Sequence, residues 1–218
     1  MMDRYIRQRT FLGNKAQKKL EGFKVCIVGI GALGTLCAEL LGRAGVSSLV
    51  LIDYDAIELN NLQRQHLFCE KDVGKFKVKV AKQYLSKINS NVEIIDIKDA
   101  IDETNLELLK SDLVLDCVDN LETSYILSDY CKSKKIPFVF GSAIRNEGYV
   151  LAIPEVRKVF RNVKTFEKCA TQGVLNTITS LISCVQVNEA IKILVGKKFE
   201  KKLLRFDLEK NEFLKIKV

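Results

Sequence analysis

Apolar positions in this chain come in short unbroken runs separated by stretches of helical spacing. Residues 24–29 form an apolar run stopped by a glycine, and residues 49–53, 113–116 and 137–140 repeat that form. Runs of this length and composition read as strands buried on both faces. Residues 92–96 read as one more strand, third in chain order. Between them, residues 32–44 carry apolar side chains at helical spacing, with Gly45 as the stop. Residues 75–88 make an amphipathic helix with a lysine-rich solvent face, and residues 121–132 a further helix. Residues 102–110 read as a short helix capped by Asp102, and residues 14–22 as a short polar helix ending at a glycine. Strands alternating with helices predict an α/β fold, a mostly parallel sheet with helices on both faces.

After Gly141 the rhythm changes. Residues 148–153 read as another strand, 154–172 as a loop or mobile crossing segment, and 173–194 as a long apolar helix with a polar edge. Residues 203–206 and 213–218 read as two short strands that alternate with charged residues, an antiparallel addition to the sheet. There are no repeats and no low-complexity tract, so the 218 residues are expected to be one domain, with 1–150 as its ligand-binding part.

Composition narrows the class. A chain that is 47% hydrophobic and 28% charged is not disordered. The most apolar run, residues 25–41, contains three glycines and Glu39 and is shorter than the ~20 residues a bilayer span needs. The opening Met1-Met2-Asp3-Arg4 lacks a signal-peptide apolar region, so the expected localisation is cytoplasmic, with no membrane partner. Seven cysteines without a Cys-x-x-Cys pair suit neither a disulfide framework nor a two-pair zinc site. Cys26, Cys37, Cys117, Cys131 and Cys184 read as core residues. Net charge is +8, placed unevenly: residues 1–150 hold 21 basic and 20 acidic side chains, residues 151–218 hold 14 and 7. A +7 C-terminal segment points to a nucleic acid, a membrane surface or an acidic protein as partner.

The chemistry starts at Gly29-Ile30-Gly31-Ala32-Leu33-Gly34, which succeeds a strand and opens a helix. The first glycine permits the turn, the second lets a phosphate approach the backbone, and the third lets helix and strand pack closely. Asp53 ends the next strand, where an acid accepts ribose hydroxyls, so the sheet is Rossmann-like and binds a nucleotide. The segment beyond Asp53 differs from that of a nicotinamide enzyme. A polar strap bearing Asp55, Asn61, Arg64 and Gln65 precedes Lys77 at a helix start, and Asp116 and Asp119 close the fourth strand. Cations beside a phosphate cradle, one acid for ribose and one for magnesium, make a site for ATP. Arg7 and Lys77 have an alternative reading as solvated charges, and Asp55 and Asp116 as loop and strand-end carboxylates. His66, the only histidine, lies beside the strap.

These motifs, in order, resemble the ThiF/MoeB/HesA family, the prokaryotic relatives of ubiquitin-activating enzymes. The resemblance runs from Arg4-Tyr5-Ile6-Arg7-Gln8 through Asn61-Leu62-Gln63-Arg64-Gln65, Leu115-Asp116-Cys117-Val118-Asp119-Asn120 and Gly141-Ser142-Ala143-Ile144-Arg145 to Gln186-Val187-Asn188-Glu189. It implies adenylation of the C-terminal Gly-Gly carboxylate of a ubiquitin-like sulfur carrier protein by MgATP. It also implies roles: Arg64 and Lys77 on phosphates, Asp119 holding magnesium, Asp53 on ribose, Asn61 positioning phosphate or metal, and Gln65, Asp55 and Asn120 around the nucleotide with Gly29, Gly31, Ala32 and Gly34. Arg7 would reach the neighbouring subunit's triphosphate, which requires a homodimer. Cys169, expected four residues before a helix, would be a covalent nucleophile or an unused thiol. Residues 151–218 would supply the crossover loop, a helix and strands for carrier docking. Two departures stand out. The paired cysteines with which many relatives hold zinc are absent, so no structural zinc is expected, and Ser124 lies near the place of a frequent arginine. Three other readings stay open: the same fold activating a carboxylate of modified tRNA, a nicotinamide oxidoreductase, and a nucleotide-binding scaffold.

Overall fold

The computed structural model describes residues 3–161 and 172–218. Its centre is an eight-stranded sheet in the order β3-β2-β1-β4-β5-β6-β7-β8. The strands are β1 (Lys24–Val28), β2 (Ser48–Ile52), β3 (Glu93–Ile97), β4 (Leu113–Asp116), β5 (Phe138–Ile144), β6 (Glu147–Leu151), β7 (Leu203–Asp207) and β8 (Glu212–Ile216). The first five in chain order run parallel, and β5 to β8 are antiparallel. Every residue of β2 and β4 is buried. This is why these segments are apolar without alternation: helices cover both faces of a parallel sheet.

The helices are α1 (Ile6–Leu12), α2 (Asn14–Leu20), α3 (Ala32–Ala44), α4 (Lys77–Ile88), α5 (Leu121–Lys134), α6 (Val156–Phe160) and α7 (Asn176–Val195). Leu33, Cys37, Ala38 and Leu41 of α3 share one core with Ile178, Ile182 and Ala190 of α7 and with Ile27 and Leu115 of the sheet. Leu127 and Cys131 of α5 pack on the opposite face with Phe138, Phe140 and Phe160. Helix α7 is long and apolar enough to cross a bilayer, but 56% of its apolar window is buried against the rest of the molecule.

Four expectations are corrected. The helix expected over 102–110 shrinks to a 3-10 turn, Leu106–Leu109, and Asp102 accepts the Thr104 N–H in a loop instead of capping a helix. The segment expected to be a loop over 154–172 contains α6. The last long helix starts at Asn176, because Gly173 has φ +74° and Val174 bridges Arg145 as an added strand residue. Cys184 is exposed on α7 and not in the core. Helix α1 has no apolar periodicity and buries none of its residues, so nothing in the pattern announces it. Side-chain bonds to the C-terminal ends of other helices hold it. Arg4 Nη1 donates to Ile88 O at 2.7 Å, Gln8 Nε2 to Ala44 O at 2.8 Å, and the Tyr5 hydroxyl accepts from Asn89 Nδ2 at 2.8 Å. Cations and donors belong at helix C-termini, where carbonyls lack partners. Helices α1 and α2 therefore lie at the amino-terminal end of the parallel strands.

Candidate active site

Register brings the site together. Val28 pairs with Ile52 on one side and Asp116 on the other. The ladder then runs one residue further, with Gly29 N donating to Ile52 O at 2.8 Å and Cys117 N to Val28 O at 2.9 Å. Gly29, Asp53 and Cys117 thus stand in a row at the carboxyl ends of β1, β2 and β4, where chain order reverses and a crevice opens.

The glycine loop is shaped as its three positions require. Gly29 has φ +87°, and a Cβ there would meet Cys117 O at 2.7 Å. At Gly34 a Cβ would collide with Gly29 O, so this glycine sets how closely α3 approaches β1. Gly31 differs: a Cβ would find only Gln65 Nε2, at 3.8 Å. The space over Gly31 belongs to the cleft. Asp53 braces the loop, one carboxylate oxygen accepting from Ile30 N at 2.7 Å and the other from Asp55 N at 2.8 Å. Burial raises its carboxyl above the usual range, while nearby Lys77 acts in the other direction.

The cleft measures about 770 Å³. Gly29, Gly31, Ala32, Asp53, Asp55, Asn61, Arg64, Gln65, Lys77, Asp119 and Asn120 all line it, and Gly34 lies under its floor. Lys77, at the first turn of α4, is 6% exposed, so it is not a solvated surface charge. Its Nζ pairs with Asp55 Oδ2 at 2.6 Å, and that carboxylate is itself half exposed. Arg64 is held across the mouth by donating from Nη1 to Asn60 O at 2.9 Å. Asn61 is buried and accepts from Glu58 N at 3.1 Å, which fixes the strap's 3-10 turn, Leu59–Asn61. Gln65 is buried as well, and its side-chain oxygen has no hydrogen-bond partner among the described residues. Asn120 caps α5, accepting from Thr123 N at 2.9 Å. Asp119, next to it, is exposed at the rim.

Arg7, expected at a neighbouring subunit's triphosphate, does not line this chain's own cleft. Arg7 is exposed on α1, at the other end of the sheet. The 13 residues of α3 separate the two ends by about 20 Å at 1.5 Å per residue. Cys169 lies outside the described residues, and the long helix after it begins seven residues on, at Asn176, and not four. The structure adds wall residues that no motif singles out, Asp99 to Ile101 after β3 and Thr179 near the start of α7, and it sets Ser142 and Ala143 of the motif at residues 141–145 and Val174 in the same wall. The rule that ligands sit beyond the carboxyl ends of parallel strands is the signal that finds the loop after β3.

Beneath the cleft, Gln186 of α7 donates from Nε2 to Asp116 O at 2.9 Å and to Val139 O at 3.3 Å, tying α7 to β4 and β5. Asp116 itself is wholly buried, and its Oδ2 has no partner among the described residues. Burial pushes its carboxyl up to about 7. A folded-state value above the unfolded one means the folded chain binds that proton more tightly. Stability from this group is complete below the ordinary carboxylate range and is lost as pH rises from about 4 to about 7. Asp116→Asn is therefore expected to stabilise the protein by roughly 2–3 kcal/mol at about pH 8 and by little at about pH 4.5. Urea unfolding of both forms at the two pH values measures this. Equal differences at both would show that the carboxyl titrates normally.

The sequence profile of the ThiF family matches residues 3–218. The molybdopterin-synthase adenylyltransferase of Haemophilus influenzae is 38% identical over 204 residues, covering 88% of this chain and 83% of that protein. The sulfur carrier protein ThiS adenylyltransferase of Bacillus subtilis is 36% identical, covering 97% of this chain and 67% of that protein. Among solved structures, E. coli MccB with ATP superposes with a TM-score of 0.86 over 100% of this chain and 72% of that one, at 22% identity.

Proposed function

This chain belongs to the ThiF family, and from that premise we propose that it is an adenylyltransferase that uses ATP to activate the C-terminal Gly-Gly carboxylate of a ubiquitin-like sulfur carrier protein. One observation carries the reading. A single cleft holds a glycine loop with open space over Gly31, a buried lysine whose partner carboxylate is half exposed, and an orphaned Gln65 oxygen. These features suit a ligand that offers both phosphate oxygens and hydrogen-bond donors.

In the reaction, a carboxylate oxygen of the carrier attacks the α-phosphorus of ATP. The bond from that phosphorus to the bridging oxygen breaks, pyrophosphate leaves, and an acyl-adenylate remains. The attacking carboxylate is already ionised at neutral pH, so no general base is needed. What the protein must supply is relief of anionic repulsion. Lys77 exchanges Asp55 for phosphate oxygens, Arg64 closes over them from the strap, and the N–H groups at the start of α3 face the same space. Asp53 is the acid for the ribose.

The lining carries five carboxylates, Asp53, Asp55, Glu58, Asp99 and Asp119, against two cations, Arg64 and Lys77. A formal −3 cannot hold a triphosphate alone. Magnesium would offset this charge, and Asp119 is the residue that would hold it, together with the nucleotide's phosphates. Among the described residues no group of three or more His, Cys, Asp or Glu could hold a metal by itself. Magnesium would screen charge on the phosphates. A homodimer would add one more cation, the partner's Arg7, since this chain's own lies at the far end of the sheet. The antiparallel strands β6 to β8 extend the sheet beside the cleft and are the proposed seat of the carrier. A cytoplasmic address goes with this reading, because unpaired thiols such as Cys69 and Cys184 persist where the medium is reducing.

The test is ATP–pyrophosphate exchange with carriers ending in Gly-Gly. Exchange should require both the carrier and magnesium, and vanish when the last two glycines of the carrier are removed. Exchange without a carrier, or none with a panel of such carriers, overturns the reading.

A further inference from the structure

Gln186 of α7 is wholly buried and stands beneath the cleft without lining it. All four hydrogen-bonding positions of its amide are taken. Nε2 donates to Asp116 O at 2.9 Å and to Val139 O at 3.3 Å. Oε1 accepts from Cys37 Sγ at 3.7 Å and from Cys117 Sγ at 3.9 Å. One side chain thus joins α3, β4, β5 and its own helix. A Cβ on Gly141 would run into the same amide, so the glycine makes room for it.

The amide sits at a fork. The β4–β5 ladder ends with Asp116 opposite Phe140. Beyond it β4 turns away into Cys117, Val118, Asp119 and Asn120, which line the nucleotide part of the cleft. Strand β5 goes on to pair with β6, and its Ser142 and Ala143 line the same cleft from the other branch. Strands β6 to β8 are the proposed seat of the carrier, so a tail coming from there passes Ser142 and Ala143 on its way to the α-phosphate. Apolar side chains would hold a helix to a sheet without the cost of burying an amide. What the amide adds is direction, because its two N–H bonds fix one carbonyl of each branch relative to the other. We propose that Gln186 is a positioning residue for adenylation, setting the distance between the nucleotide loop, residues 117–120, and the β5 wall that guides the carrier's tail. This inference rests on the adenylation reading. It follows that loss of the amide should affect the saturated rate and spare the binding of each substrate, since a small misplacement of two bound reactants slows their encounter sharply.

The test measures ATP–pyrophosphate exchange with a Gly-Gly carrier that supports it in the parent, at about 20 °C, with circular dichroism as the check on folding. Gln186→Met conserves volume and removes the amide. Its saturated rate should fall roughly 30- to 100-fold. The ATP and carrier concentrations for half-saturation should stay within about threefold of the parent. Gly141→Ala displaces the amide without deleting it and should show the same split. If either variant fails to fold, the other decides. Leu85→Ala opens a cavity under α4, away from the fork, and controls for lost stability; its saturated rate should stay within about threefold of the parent. Three outcomes overturn the proposal: saturated rates near the parent's in the folded variants, a rise in half-saturating ATP or carrier at an unchanged rate, or an equal loss of rate in Leu85→Ala. Absence of exchange in the parent with every carrier is a different result, which removes the adenylation reading and this inference with it.

Discussion

Lys77→Met is expected to lower carrier-dependent ATP–pyrophosphate exchange by roughly 10²- to 10³-fold. Methionine keeps the length and the buried stem but removes the only buried cation of the cleft among the described residues. In the structure that cation is neutralised by Asp55 at 2.6 Å, and this partner is exposed enough to be given up when phosphate arrives. The loss should fall on the rate more than on the ATP concentration needed for half-saturation, because charge accumulates on the leaving pyrophosphate as the bond breaks. The companion variant Asp55→Asn removes only the resting partner and should stay within about tenfold of the parent. Exchange assays at saturating carrier, with melting temperatures as a check on folding, separate the two. If Asp55→Asn proves as damaging as Lys77→Met, the pair is a structural brace and the lysine is not the phosphate ligand.

Gly34→Val is expected to cost about 4 kcal/mol or more, enough to leave the protein largely insoluble or unfolded at about 37 °C. A Cβ at this position collides with Gly29 O, which is backbone, and would also sit 3.5 Å from Cys117 Cβ. Neither neighbour can rotate aside, so α3 must lift from β1 and reopen the core that it shares with α7. Gly31→Ala is the contrast. It has room in this structure and should fold with an unchanged urea midpoint while losing nucleotide affinity, because its methyl group enters the space over the loop. Circular dichroism in urea and ATP titration would show the split.

Most of the parallel core is legible from the chain alone because burial on both faces leaves its mark in unbroken apolar runs. Helix α3 and strand β4 fall where the spacing predicts. The glycine loop, Asp53, the strap and Lys77 are legible for a related reason: each lies within a few residues of a strand end or helix start that the pattern itself locates. What the pattern hides depends on contacts distant in sequence. Helix α1 has no apolar stripe, with Ile6 and Phe11 exposed, and is held by bonds to Ala44 and Ile88. Gly173 looks like the first residue of an apolar helix, yet Arg145, 28 positions earlier, pulls Val174 into an extended bridge. Cys184 has the neighbours of a core residue but faces outward, since α7 is apolar all round and only its partners decide which side is inside. The charge imbalance is right in amount and misplaced in space when it is counted along the chain. Three exposed lysines, Lys15, Lys18 and Lys19, come from α2, which lies in the part of the chain that such a count makes nearly neutral.

Strand β8 closes the sheet with all five residues exposed, Phe213, Leu214 and Ile216 among them. Its outer row of amides and carbonyls has no neighbour among the described strands. Such a border invites any passing extended peptide to add itself as a ninth strand. Lys215 and Lys217 interrupt the apolar residues there and act as gatekeepers. Purification at moderate salt, where like charges still repel, should keep the chains apart, and neutralising those two lysines should shorten the shelf life of concentrated stocks.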